Sequence, residues 1–249
     1  MNQEREKKQW KLIALDIDGT LLNDNHEVSE ENIKAIKAAR EKGVIVVLST
    51  GRSIRTCEDI AKQLELSSYL VTVNGSEIWH TEGTLLERNP LHYKHIKTMW
   101  DLTNTYKTKM WAVTKDKVWR DEFPETPDAE QWLKYGFDIE DDKAREEIFS
   151  ILSANEELEL SNSSPTNIEV NAVGINKAVA LAKVCEKEGM TMEDVIAMGD
   201  SLNDLAMIQA AGLGIAMGNA QVKVKEAADW VTDKNNEDGV AKAIRQWVL

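Results

Sequence analysis

Leu12-Ile13-Ala14-Leu15-Asp16-Ile17-Asp18-Gly19-Thr20-Leu21-Leu22 runs from an apolar stretch straight into two carboxylates two residues apart and then a glycine. The apolar run reads as a buried strand, and Gly19 turns the chain as soon as the strand ends. In open α/β sheets ligands sit outside the carboxyl ends of the strands, so both acids would face a site. Asp-Gly is also a hairpin signal, and the stretch alone leaves a plain turn open. A calcium loop fits less well: Glu27 falls at its twelfth position, but Leu21 stands where the sixth demands glycine and Thr20 where the fifth wants an acid or amide.

The sequence around this stretch alternates strand-like and helix-like segments. Ser29 to Lys42 reads as a helix with Ser29 as its N-cap, Glu30 and Glu31 in the first turn, Ile33 and Ile36 on one face, and Gly43 just past the end. Strands follow at Val44–Ser49 and Tyr69–Val73, with a helix over Ile54–Leu66 between them. The last third repeats the pattern: helices near Lys177–Glu188, Asn203–Ala211, Val222–Ala228 and from Val240, and strands at Val195–Met198, Leu213–Met217 and Asp229–Thr232. Alternation of this kind predicts βαβ units, hence an α/β fold with a Rossmann-like core on a parallel sheet.

Between these halves the texture changes. Lys109–Glu122 looks like a hairpin turning at Lys115-Asp116, flanked by helices near His92–Tyr106 and Ala144–Leu152 and by strands at Leu158–Ser161 and Asn167–Val170. This predicts an inserted α+β domain over residues 82–172 within a core of residues 1–81 and 173–249. The chain would cross near Thr81–Thr84 and Asn171–Gly174.

Three further stretches carry chemistry. Leu48-Ser49-Thr50-Gly51-Arg52 ends a β-branched strand in two hydroxyls and a glycine before a helix, where free N–H groups suit an anion; a simple helix cap by Ser49 or Thr50 is the plainer reading. Lys177 stands at or near the first position of a helix, where a cation opposes the helix dipole unless an anion compensates. Met198-Gly199-Asp200-Ser201-Leu202-Asn203-Asp204 places carboxylates at a strand-to-helix turn, suited to a hard cation or to capping by Asp200 or Ser201. The glycines Gly212, Gly214 and Gly218 give GxGxxxG, which is not a dinucleotide fingerprint.

These four stretches, in this order, resemble the four motifs of the haloacid dehalogenase (HAD) superfamily. With Val73–Ile78 (VNGSEI), Met217–Ala220 (MGNA) and the DGVAKAI near the end, the chain resembles its Cof-type phosphatases, and the middle segment would be a C2-type cap governing substrate specificity. The resemblance implies a magnesium-dependent phosphatase in which Asp16 attacks phosphorus, forming an aspartyl-phosphate, while Asp18 protonates the leaving oxygen and then activates water. It implies phosphate binding by Ile17, Thr50, Gly51, Lys177 and Asn203. Magnesium would be held by Asp16, Asp200 and Asp18 through its backbone carbonyl, with Asp204 supporting them. Substrates of the family are small phosphorylated metabolites: sugar phosphates, flavin mononucleotide, pyridoxal phosphate and the phosphorylated pyrimidine of riboflavin synthesis. A phosphomutase or phosphotransferase would share the nucleophile; a non-catalytic sensor of a phosphorylated metabolite would not need two acids beside an anionic ligand.

A net charge of -13 and a pI near 4.9 repel polyanions, so neither nucleic acid nor an anionic membrane is an expected partner, and local cations must admit an anionic substrate. Cys57 and Cys185 lack a disulfide or zinc spacing, and the charged start with its short apolar run is no signal or membrane segment; a cytoplasmic setting is expected. His92 and His95 read as an exposed helix face rather than a metal pair, and Asp138–Asp142 as a solvated loop. Of the middle-third tryptophans, Trp100, Trp111, Trp119 and Trp132 are expected mostly in a core, with one or two free to stack on a substrate.

Overall fold

The computed structural model describes residues 8–249; the charged start of the chain read above, residues 1–7, lies outside them. In chain order the first elements are β1 (Leu12–Leu15), α1 (Glu30–Glu41), β2 (Ile45–Ser49), α2 (Ile54–Gln63), β3 (Tyr69–Thr72), β4 (Glu77–His80) and β5 (Leu85–Arg88). The middle holds α3 (Tyr93–Tyr106), β6 (Lys109–Thr114), β7 (Val118–Arg120), β8 (Trp132–Asp138), α4 (Asp142–Ser153), β9 (Leu158–Ser161) and β10 (Asn167–Ala172). The chain then forms α5 (Lys177–Lys187), β11 (Val195–Gly199), α6 (Leu205–Ala210), β12 (Leu213–Ala216), α7 (Val222–Ala227), β13 (Trp230–Val231) and α8 (Gly239–Trp247).

Eight strands form one sheet in the order β13-β12-β11-β1-β2-β3-β4-β5, and β1 pairs in parallel with both β2 and β11. Its side chains alternate between two cores: Ile13 and Leu15 pack with residues of α1, α2 and α8, whereas Leu12 and Ala14 pack with Leu181 and Val184 of α5. All four are fully buried, as a central parallel strand requires. α1 forms as its caps predict, with the Ser29 hydroxyl accepting from Asn32 N and Gly43 following in the left-handed region.

The second sheet is antiparallel, β7-β6-β8-β10-β9. Tyr135 and Phe137 face a core shared with Ile96 and Met99 of α3 and Ile148 and Leu152 of α4. No helix of the described residues is long and apolar enough to cross a membrane.

Several expectations need correction. β5 belongs to the large sheet, paired with β4, so the first crossing lies after Arg88 rather than at residues 81–84. β8 has no counterpart in the sequence reading, because Lys134 and Gly136 interrupt its apolar pattern. Asp138–Asp142 is not a plain loop: Asp138 ends β8, and the Asp141 carboxylate caps α4 by accepting from Ala144 N. Thr50 does not cap α2, whose N-cap is Ser53. His92 caps α3 through its ring nitrogen, and His95 is buried rather than exposed.

Candidate active site

Asp16 follows β1 at the carboxyl edge of the large sheet, its backbone N–H donating to Met198 O of β11. The residue is 5% exposed. Lys177, the first residue of α5, is fully buried and donates to Asp16 Oδ1 at 2.6 Å and to Asp204 Oδ1 at 2.7 Å. The two carboxylates supply the anionic compensation that a lysine at a helix N-terminus needs. Asp204 is itself fixed, its other oxygen accepting from the N–H groups of Asp200 and Ser201.

Asp200 completes the cluster. Its carboxylate accepts from the Thr20 hydroxyl at 3.3 Å and from the Ser201 hydroxyl at 3.0 Å. Oxygens of Asp16, Asp200 and Asp204 lie within 4.8 Å of one another, an arrangement of hard donors compatible with a cation. Gly19, at φ +76°, makes this approach possible, since a Cβ there would lie 2.5 Å from Asp200 Oδ2.

One ammonium bonds two of these three crowded carboxylates, and Asp16 and Asp200 are both displaced from the ordinary range. Burial pushes Asp16 well above the usual carboxylate range, opposed by Lys177 and reinforced by Asp204 and Asp200. Burial, with Asp204 beside it, pushes Asp200 up to about 7. Burial would lower Lys177, but Asp16 and Asp204 outweigh it and hold the ammonium above its ordinary value. Fully ionised, the cluster would carry more negative charge than its lysine can neutralise.

Asp18 is turned outward. Its side chain is 52% exposed and takes two hydrogen bonds from Arg52, from Nε at 2.7 Å and from Nη2 at 2.5 Å. Thr50 is buried at the end of β2, its hydroxyl accepting from Arg52 N. Ile17 has its side chain in the core, leaving only its backbone to meet a ligand. Among the described residues, neither the Ile17 nor the Gly51 N–H has a protein acceptor.

The second sheet closes over these residues. Lys134 of β8 donates to Gly51 O at 2.9 Å and to Glu169 Oε1 of β10 at 3.2 Å. Glu169 also accepts from Asn74 Nδ2 at 2.6 Å and from the Ser163 hydroxyl at 3.0 Å. Asn74 in turn accepts from Asn203 Nδ2 at 3.4 Å, so a polar chain joins the two sheets. Between them lies a cavity of about 510 Å³, bordered by Asp16, Asp18, Gly51, Asp200 and Asn203 from the large sheet and by Trp111, Arg120, Lys134 and Glu169 from the other. Thr50, Lys177 and Asp204 stand behind that wall. Arg52, Asn74, Lys134 and Glu169 were not singled out in the sequence reading. Arg52 lay within a motif already noted, and Lys134 is a charged residue inside an apolar strand; Glu169 offered only a lone acid in Asn167–Val170.

The profile of the haloacid dehalogenase-like hydrolases matches residues 13–151 and 124–244. The 5-amino-6-(5-phospho-D-ribitylamino)uracil phosphatase YcsE of Bacillus subtilis is 63% identical over 249 residues, covering 100% of both chains. A second B. subtilis phosphatase with the same substrate in its name, YitU, is 30% identical over 95% of this chain and 97% of its own. A solved haloacid dehalogenase-like hydrolase from B. subtilis superposes with a TM-score of 0.88 at 26% identity, covering 94% of this chain and 99% of that one. The chain belongs to the haloacid dehalogenase superfamily, in which it is a Cof-type phosphatase.

Proposed function

We propose that this chain hydrolyses 5-amino-6-(5-phospho-D-ribitylamino)uracil, a small phosphomonoester, through an aspartyl-phosphate on Asp16. The observation that carries the reading is full-length identity of 63% to a phosphatase named for that substrate. The geometry supports it, since a buried carboxylate held 2.6 Å from a buried ammonium borders a cavity large enough for a small metabolite.

An Asp16 carboxylate oxygen attacks phosphorus, the ester P–O bond breaks, and the leaving oxygen takes a proton from Asp18. Asp18 then accepts a proton from water as its oxygen attacks the phosphorus of the aspartyl-phosphate, returning Asp16 as a carboxylate and releasing phosphate. Lys177, Thr50, Asn203 and the N–H groups of Ile17 and Gly51 hold the phosphoryl oxygens, and Asp204 fixes Lys177. Asp16, Asp200 and the Asp18 carbonyl would hold Mg2+, and the carboxylate oxygens of Asp16 and Asp200, crowded together with that of Asp204, fit a hard divalent cation. Bound there, the ion supplies charge compensation for the phosphoryl group. Residues 89–172 act as the cap that selects the substrate and excludes water, and the protein works in the cytoplasm.

Phosphate release should be measured from this pyrimidine ester, sugar phosphates, flavin mononucleotide and pyridoxal phosphate, with parent and Asp16→Asn protein. The pyrimidine ester should give the highest kcat/KM, and the variant should lose about 1,000-fold or more. Equal turnover by the variant would remove Asp16 from the role of nucleophile, and a strong preference for another ester would refute the substrate.

A further inference from the structure

One face of the second sheet is turned toward the cavity, and its central feature is flat. Trp111 on β6 lies opposite Gly136 on β8 and opposite Arg120 on β7. A Cβ built on Gly136 would meet Trp111 Cε2 at 2.2 Å, Cζ2 at 2.3 Å and Cδ2 at 2.6 Å. Two of these atoms are shared by both rings of the indole, so the Cβ vector strikes the middle of the ring system. The indole therefore lies down across the strand, and only the absence of a side chain at residue 136 allows it. Trp111 also packs with Val118 against Val113 and Leu133, which fixes the ring, and it borders the same cavity as Asp16 and Asp200. The other tryptophans of this segment do not do this: Trp132 is 1% exposed in the core, and Trp100 and Trp119 pack against that core.

We infer that the Trp111 indole, laid flat over Gly136 on the wall of the cavity that Asp16 also borders, is a stacking platform for the planar heterocycle of the substrate. This rests on the reading of the substrate as a pyrimidine ester and names the side chain that recognises its ring. A fixed aromatic face loses little entropy on binding and accepts any flat π-system, while Arg120 beside it offers donors to ring carbonyl oxygens. The sugar-alcohol chain of the ester would span the distance between platform and nucleophile.

The test compares the pyrimidine ester with ribitol 5-phosphate, which has the same chain and phosphate but no ring. Trp111→Ala should lower kcat/KM on the pyrimidine ester about 10-fold or more, within the range found for stacking of a base on an aromatic residue, and change ribitol 5-phosphate by less than about 2-fold. Trp111→Phe should retain most of the activity, and Gly136→Ala, which displaces the ring without touching the reacting groups, should behave as Trp111→Ala does. Equal losses on both esters, or no loss on the pyrimidine ester, would overturn the platform. Calorimetry with the dephosphorylated pyrimidine reads the platform without turnover, and equal affinity for parent and Trp111→Ala would overturn it. A parent that binds this pyrimidine more tightly than the variant, yet releases no phosphate from its ester, would refute the hydrolytic reading and leave the platform standing.

Discussion

Replacing Lys134 by methionine keeps an unbranched apolar stem and removes the ammonium that joins Gly51 O to Glu169. Lys134 and Glu169 are 2% and 3% exposed, so the pair is shielded from bulk solvent. Breaking a buried pair from one side costs about 3–5 kcal/mol. Glu169 keeps its hydrogen bonds from Asn74 and Ser163, which favours the lower end of that range. Protonation sets a ceiling. Against an ordinary value of 4.5, taking up a proton at pH 7 costs about 3.4 kcal/mol at 1.36 kcal/mol per pH unit, and about 1.4 kcal/mol at pH 5.5. In the parent, burial raises Glu169, but the Lys134 charge and the hydrogen bonds outweigh it and leave the carboxyl below its ordinary value. A depressed carboxyl stabilises the fold above its unfolded value and loses that contribution as pH falls through its folded value. In the variant burial prevails and the carboxyl rises, so the gap between the proteins should narrow on acidification. Urea unfolding should show a deficit of about 3 kcal/mol at pH 7 and about 1.4 kcal/mol or less at pH 5.5. A deficit below about 1 kcal/mol at pH 7, or one that grows toward pH 5.5, would refute the assignment of a buried pair joining the two sheets.

Arg52→Ala frees the Asp18 carboxylate from its two donors and should lower kcat/KM about 10- to 100-fold. The pair is partly exposed, so stability should change by no more than about 1 kcal/mol, and unchanged kinetics would remove Arg52 from positioning the acid. Lys177→Met leaves Asp16 and Asp204 without their cation and should destabilise the protein by about 3–5 kcal/mol in denaturant titrations as well as abolish turnover. Chelation should abolish phosphate release and Mg2+ restore it. At 100-fold excess over its Kd the ion should stabilise the parent by about 2.7 kcal/mol in thermal melts, and the effect should be largely lost in Asp200→Asn.

The core fold was readable because its signals are local. α1 carries its own N-cap, acidic first turn and terminal glycine, and the strands leading to Asp16, Thr50 and Asp200 are apolar runs ended by polar turns. The four motif stretches are spread over nearly 190 residues; the parallel order β11-β1-β2 brings three of them to one edge, and the start of α5 brings Lys177 there. What stayed hidden depends on pairing across the chain. Lys134 looks out of place inside β8 until Glu169, 35 residues later, is set beside it with Gly51 O. Gly136 reads as a strand breaker, which concealed β8, and its purpose emerges only when Trp111 is found lying across it. His95 was misjudged for the same reason, since burial depends on a partner element, here the segment carrying Asn155 and Glu157.

The charges around the cavity explain how a chain of net charge -13 can admit a phosphate dianion. Asp16, Asp18, Asp200, Asp204 and Glu169 supply five carboxylates; Lys177, Arg52, Lys134 and Arg120 supply four cations. Three of the cations are already engaged: Lys177 with Asp16 and Asp204, Arg52 with Asp18, and Lys134 with Glu169. Fully ionised, the site would be one charge negative before substrate enters, and three with a dianion present. Such an excess is costly where burial removes solvent screening. Burial first, and then the neighbouring Asp204, push the Asp200 carboxyl up, so part of this excess can be relieved by holding a proton there. A divalent cation at Asp16 and Asp200 would replace that proton and return the loaded site to one net negative charge. This balance gives a physical reason for the proposed Mg2+ dependence beyond the cluster's fit to the ion: the two lysines and Arg52 hold the resting carboxylates in place, and the divalent ion offsets the charge brought by the phosphate.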